Sequence, residues 1–128
     1  MQLQYQELTS SILNTFFNVV KKLDYGFEKS IYINAIASEL TLKNNYTVIN
    51  QTQDIHYNGV IVGQIFFDII VNDSVVLCID NNYDFIKRPQ IESAKKYLRH
   101  SKYEVLLLLN FGLEASYKRI FLGQDFKK

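Results

Sequence analysis

The sequence predicts a single α/β domain over 1–128: a mixed β-sheet flanked by helices, in the order ααβββ(β)αββ. Three observations carry that reading. Two stretches of helical apolar spacing open the chain, and β-branched and aromatic runs take over after Asn45. A third helical pattern then separates the apolar runs 75–80 and 103–111, which makes the connection between them a crossover.

Over 9–23 the apolar positions Ile12, Leu13, Phe16, Val19, Val20 and Leu23 recur at helical spacing, with Thr9, Ser10 and Ser11 as N-cap candidates. "LDYG" breaks this helix, because Gly26 permits a left-handed turn. A second helix over 29–43 turns Tyr32, Ala35, Ile36, Leu40 and Leu42 inward and ends at "KNN". "YTVIN" and "TQDIHY" read as short strands, and Asn58-Gly59 is a hairpin signal. "VIVGQIFFDIIV" and "SVVLCID" form an antiparallel pair about the turn "NDS". Pro89 precedes a helix over 90–100 with Ile91, Ala94, Tyr97 and Leu98 on one side. The run 103–111 has the continuous apolarity of a strand covered on both faces, reached by a right-handed parallel crossover, and 117–123 is a last strand.

The 128 residues are 48% hydrophobic, enough for one domain with an ordinary core. Fourteen basic against thirteen acidic residues leave a net charge of +1, so nucleic-acid binding needs a local patch. A lone cysteine, Cys78, excludes an intramolecular disulfide, and "MQLQYQELTSS" lacks the pattern of a secretory signal; a cytoplasmic location is expected. The longest apolar runs fall far short of the ~20 residues that span a bilayer, so no membrane partner is expected. Nine Tyr and nine Phe suit core packing first and a large interface, such as a homodimer through the strands, second.

Several strings resemble, in order and spacing, the GxxExxY proteins, a branch of the PD-(D/E)XK nuclease-like superfamily. "LDYGFEKSIYINAIASEL" is similar to that family's Gly-x-x-Glu-x-x-Tyr segment. "HYNGVIVGQIFFDIIV" is similar to its hairpin leading to an acidic strand end, and "AKKYLRHSKYEVLLLLNFG" and "YKRIF" to its closing elements. The resemblance covers 9–123 and implies a restriction-endonuclease-like core. It also implies a metal site: an Asp at one strand end, a Glu in the next strand and a Lys two residues on. Two carboxylates fix a cation that activates water, and alternate strand positions share a face.

Asp68 matches the Asp. Cys78 stands at the Glu position, Asp80 at the Lys position, and Lys29 where the Gly-x-x-Glu glutamate belongs, with Glu28 one residue early. Ser93 stands where the family has a Gln before its Tyr-Leu pair. A protonated thiol is a poor ligand for Mg²⁺ or Mn²⁺, and an ammonium at 29 repels a cation. If Lys29 points inward it pairs with Asp68 or Asp80, an attraction of roughly 4 kcal/mol at 4 Å before desolvation. The expectation is a vestigial, metal-free site of Lys29, Asp68, Cys78 and Asp80 in a pseudoenzyme that binds DNA or a protein partner. The alternative is a divalent-metal-dependent DNA endonuclease that holds Mg²⁺ or Mn²⁺ on Asp68 and Asp80 with a migrated Glu28 or Glu39.

Other readings are weighed against plain structure. Cys78 lies in an apolar strand with no His at a partner spacing, so a core thiol is favoured over a nucleophile; His56 and His100 lie in different elements, at the surface or in a strand. Lys87, Arg88, Lys95, Lys96, Arg99 and Lys102 cluster around the third helix. Lys95, Lys96 and Arg99 are nucleic-acid-binding candidates, although a solvated helix face explains them as well.

Overall fold

The computed structural model describes residues 3–127; Met1 and Gln2, which open the string read for a secretory signal, lie outside the described residues. The elements run α1 (Leu3–Leu23), α2 (Lys29–Leu42), β1 (Thr47–Tyr57), β2 (Val60–Val71), β3 (Val75–Asp80), α3 (Arg88–Arg99), β4 (Val105–Asn110) and β5 (Ser116–Phe121), then a 3₁₀ turn. The five strands form one mixed sheet in the order β1-β2-β3-β4-β5, with β3 and β4 parallel across α3 and every other pair antiparallel. The fold is therefore the α/β class predicted, with a core of the PD-(D/E)XK nuclease-like kind.

The sheet separates two apolar clusters. Alternation sends Val75, Leu77 and Ile79 of β3 and Val105, Leu107 and Leu109 of β4 against α1 and α2. Val76, Leu106 and Leu108 pack instead with Ala94 and Leu98 of α3. Every residue of β4 is buried, as a parallel strand with helices on both faces requires.

Three local expectations are corrected. Helix α1 starts upstream of Thr9, whose hydroxyl donates back to the Tyr5 and Gln6 carbonyls, so it is a mid-helix residue and not a cap. The inward stripe of α2 is Tyr32, Ile33, Ile36, Ala37 and Leu40, whereas Leu42 is 81% exposed. "YTVIN" and "TQDIHY" are one strand: Asn50 adopts φ 58° without a register change, since Ile49 faces Ile69 and Gln51 faces Phe67. The bracketed extra strand of the predicted order is thus absorbed into β1. The Asn58-Gly59 hairpin forms with positive φ at both residues, as a tight turn matching strand twist demands.

Candidate functional site

The site is built where β2 and β3 part. Their ladder runs only from Val71↔Val75 to Ile69↔Leu77, after which β3 continues against β4 alone. Beyond that point Asp68 Oδ2 accepts the backbone N–H of Ile79 at 2.7 Å, a short charge-assisted bond that replaces the missing strand partner. The other oxygen, Oδ1, lies 3.2 Å from Lys29 Nζ. Asp68 is largely buried, with 14% of its side chain exposed, and Lys29 is half exposed at 46%.

Lys29 is the first residue of α2, where a cation opposes the helix dipole, so its location is unfavourable to the helix itself. The turn before it is shaped by Gly26 at φ 108° and by Tyr32. The buried Tyr32 hydroxyl donates to the Asp24 carbonyl at 2.6 Å and accepts the Phe27 N–H at 3.1 Å. Its ring stacks on Phe111 with centroids 4.0 Å apart. The Gly and Tyr of the Gly-x-x-x-x-x-Tyr segment thus set the backbone, and the position between them supplies the side chain that reaches Asp68.

Cys78 and Asp80 alternate along β3 and share a face lining the same cavity. Burial, aided by the Asp68 and Asp80 carboxylates and opposed by Lys29, pushes the Cys78 thiol well above its ordinary range, so it is protonated at neutral pH. Burial also raises Asp80; Lys29 opposes that, Asp68 adds to it, and a hydrogen bond from Gln90 opposes it again. The cavity, about 390 Å³, is closed on the α3 side by Gln90, Ser93 and Tyr97.

Gln90 went unrecognised in the sequence. It lies one helical turn before Ser93, on the same face of α3. Its Oε1 accepts the Lys87 backbone N–H at 2.7 Å, and it lines the cavity together with Asp80. The sequence signal was a Gln three positions from the expected one. Asn110 was also missed as a support: fully buried at the end of β4, it accepts the Asn82 N–H and donates to the Asn82 and Asp84 carbonyls.

The remaining candidates lie elsewhere. Glu28 is the exposed N-cap residue of α2 and does not line the cavity, and Glu39 is bound to Asn18 and Lys43 on the far part of that helix. His56 and His100 are exposed in separate elements. Around α3, Lys95 pairs with Glu92, Lys87 with Asp84 and Lys102 with Asp73, while Lys96 and Arg99 are exposed.

Among the described residues, no three His, Cys, Asp or Glu side chains gather as ligands for a metal ion. The donors facing the cavity are two carboxylates, of which Asp68 is already bonded through both oxygens, and a protonated thiol. A hard dication that takes six oxygens fits this set poorly.

A nuclease-like α/β domain is the class that this sheet, its flanking helices and the strand-end Asp68 define. The chain belongs to the PD-(D/E)XK nuclease superfamily, whose family model matches residues 6–120. No curated protein and no solved structure matches it. No helix among the described residues is long and apolar enough to cross a membrane.

Proposed function

We propose that this chain is a non-catalytic member of the superfamily, of the GxxExxY type, that serves as a binding or accessory protein. The observation that carries the reading is the 3.2 Å contact of Lys29 Nζ with Asp68 Oδ1. The ammonium neutralises the strand-end carboxylate from the side on which a divalent cation would be held. It supplies the positive charge that the fold needs there, and it supplies no water to activate. The protonated Cys78 removes a second anionic ligand from the same face. Asp80 and Gln90 both line the cavity, so it keeps polar groups able to recognise a ligand.

Isothermal calorimetry with Mg²⁺ and Mn²⁺ tests this directly. No binding in the micromolar range is expected; micromolar binding abolished by Asp68→Ala would restore the endonuclease reading with Asp68 and Asp80 as ligands. Labelled DNA incubated with the protein and Mn²⁺ gives the second test, and cleavage lost in Asp68→Ala would overturn the non-catalytic assignment. Salt-sensitive DNA retention that drops when Lys96 and Arg99 are neutralised would identify nucleic acid as the partner; retention unchanged by those substitutions assigns no DNA role to α3.

A further inference from the structure

Strands β1 and β2 outrun the rest of the sheet. β3 pairs with β2 only at Ile69–Val71, so from Val60 to Asp68 the second strand has β1 as its sole ladder partner. The result is a two-stranded arm whose base packs through Ile65 and Phe67 on the cluster beneath α3, while its outer part stands in water, where a two-stranded ribbon is marginal by itself.

The arm carries apolar side chains into solvent. Tyr57, Val60, Ile61, Val62 and Phe66 are each between 55% and 69% exposed. At roughly 70 Å² of exposed apolar surface each, these five carry about 350 Å² over the two faces of the ribbon. A copy that wraps the arm on both faces would cover a large share of the ~500 Å² of apolar area each partner contributes to a standard homodimer interface.

Charge selects the occupant. From Tyr57 to Phe67, "YNGVIVGQIFF", there is no Asp, Glu, Lys or Arg. A phosphate backbone has no cation to bind on such a surface, and a charged protein face has no counterpart there. The opposite sheet edge behaves differently: β5 is six residues long and carries Lys118 and Arg119 side by side, the usual protection against edge pairing. The long edge β1 has a single formal charge, Asp54, which is held by Gln64 at 2.7 Å. A neutral, apolar surface is complementary to itself, and an isologous contact places the same patch on both sides.

We propose that the β1–β2 arm is a homodimerisation surface that packs against the same arm of a second copy of this chain. The inference uses none of the cavity residues except Phe66 at its margin, and it stands whether or not the site binds metal. Sedimentation equilibrium on the full chain tests it. Wild-type protein at tens of micromolar is expected at twice its 15.0 kDa chain mass. Val60→Lys/Val62→Lys and Val60→Glu/Val62→Glu are each expected at the single mass with unchanged far-UV circular dichroism. An equimolar mixture of the two variants regains the doubled mass. Wild-type protein at the single mass, or variants that dimerise as well as wild type, would overturn the proposal. Because charged arms can perturb folding, Val62→Cys provides an independent reading: a short bis-maleimide is expected to join two chains, while the control Leu113→Cys, exposed on another loop, stays single. Equal yields from both positions also count against the arm.

Discussion

At the scale of single residues, the chemistry of the site turns on Lys29 and Asp80. Removing the Lys29 amine leaves the Asp68 carboxylate with one backbone donor and no counter-ion in a largely buried position. Because Lys29 is half exposed, solvent screens the pair, and Lys29→Ala is expected to cost about 1 kcal/mol in urea denaturation, with the loss shrinking at high salt. Lys29→Glu makes the opposite test, since it would gather three carboxylates where wild type has an ion pair. That variant is expected to be less stable without metal and to gain roughly 5–10 °C in Tm at Mn²⁺ a hundredfold above its Kd, whereas wild type does not respond. A Mn²⁺-insensitive Lys29→Glu would show that the backbone no longer suits a metal.

The sign for Asp80 is the reverse of the usual carboxylate. Burial raises its folded value above the ordinary 3.8, so the folded state holds the proton more tightly than the unfolded chain and ionising Asp80 costs stability. Asp80→Asn is therefore expected to stabilise the protein at pH 7, and the gain disappears as pH falls through the raised value and below 3.8. Thermal melts of both proteins across that range check it; a variant less stable than wild type at pH 7 would mean that Asp80 hydrogen bonds outweigh its burial.

At the scale of elements, the framework around the site rests on the segment Asn110-Phe111-Gly112. Asn110 ties down the loop after β3 with three hydrogen bonds, Phe111 supports Tyr32, and a side chain at Gly112 would come within 2.5 Å of the Asn82 carbonyl. The same loop is tied to the start of α2 through Asn81, whose amide donates to the Phe27 carbonyl. Asn110→Ala leaves part-buried backbone groups of the loop unpaired and is expected to cost about 1–3 kcal/mol. Gly112→Ala is expected to act on the same loop, so the double variant should cost less than the sum of the single ones. Additive values would place the two residues in separate roles. Sequence periodicity made the helices and strands legible, because each buries one face or both. It did not reveal what Asn110 bonds, since its partners lie in a loop whose path no local pattern fixes. Gln90 escaped for a related reason: one turn of α3 moves a side chain along the helix without moving it off the site's face, whereas a motif is read at fixed positions. The continuity of β1 was invisible because Asn50, a turn-prone residue, takes a left-handed conformation while the strand keeps its register on both sides.

At the scale of the molecule, β3 and β4 supply alternate residues to both apolar clusters, so the cores on the two sides of the sheet are joined through one pair of strands. The continuous apolar run at 103–111 foretold this, because only a strand covered on both faces tolerates it. What it could not foretell is how far β1 and β2 extend past the other strands, since strand length beyond the shared core is set by their mutual pairing. Leu107 faces α1 and α2, and Leu108, one residue on, faces α3. Leu107→Ala and Leu108→Ala each remove a fully packed side chain and are expected to destabilise by about 2–5 kcal/mol. Because the adjacent residues serve opposite faces of one strand, both losses should act on the same cooperative transition. Urea unfolding followed by far-UV circular dichroism and by tyrosine fluorescence should then give coincident midpoints for wild type and both variants. A Leu108→Ala protein in which the α3 side melts at lower urea than the α1–α2 side would break that coupling and divide the domain into two folding units.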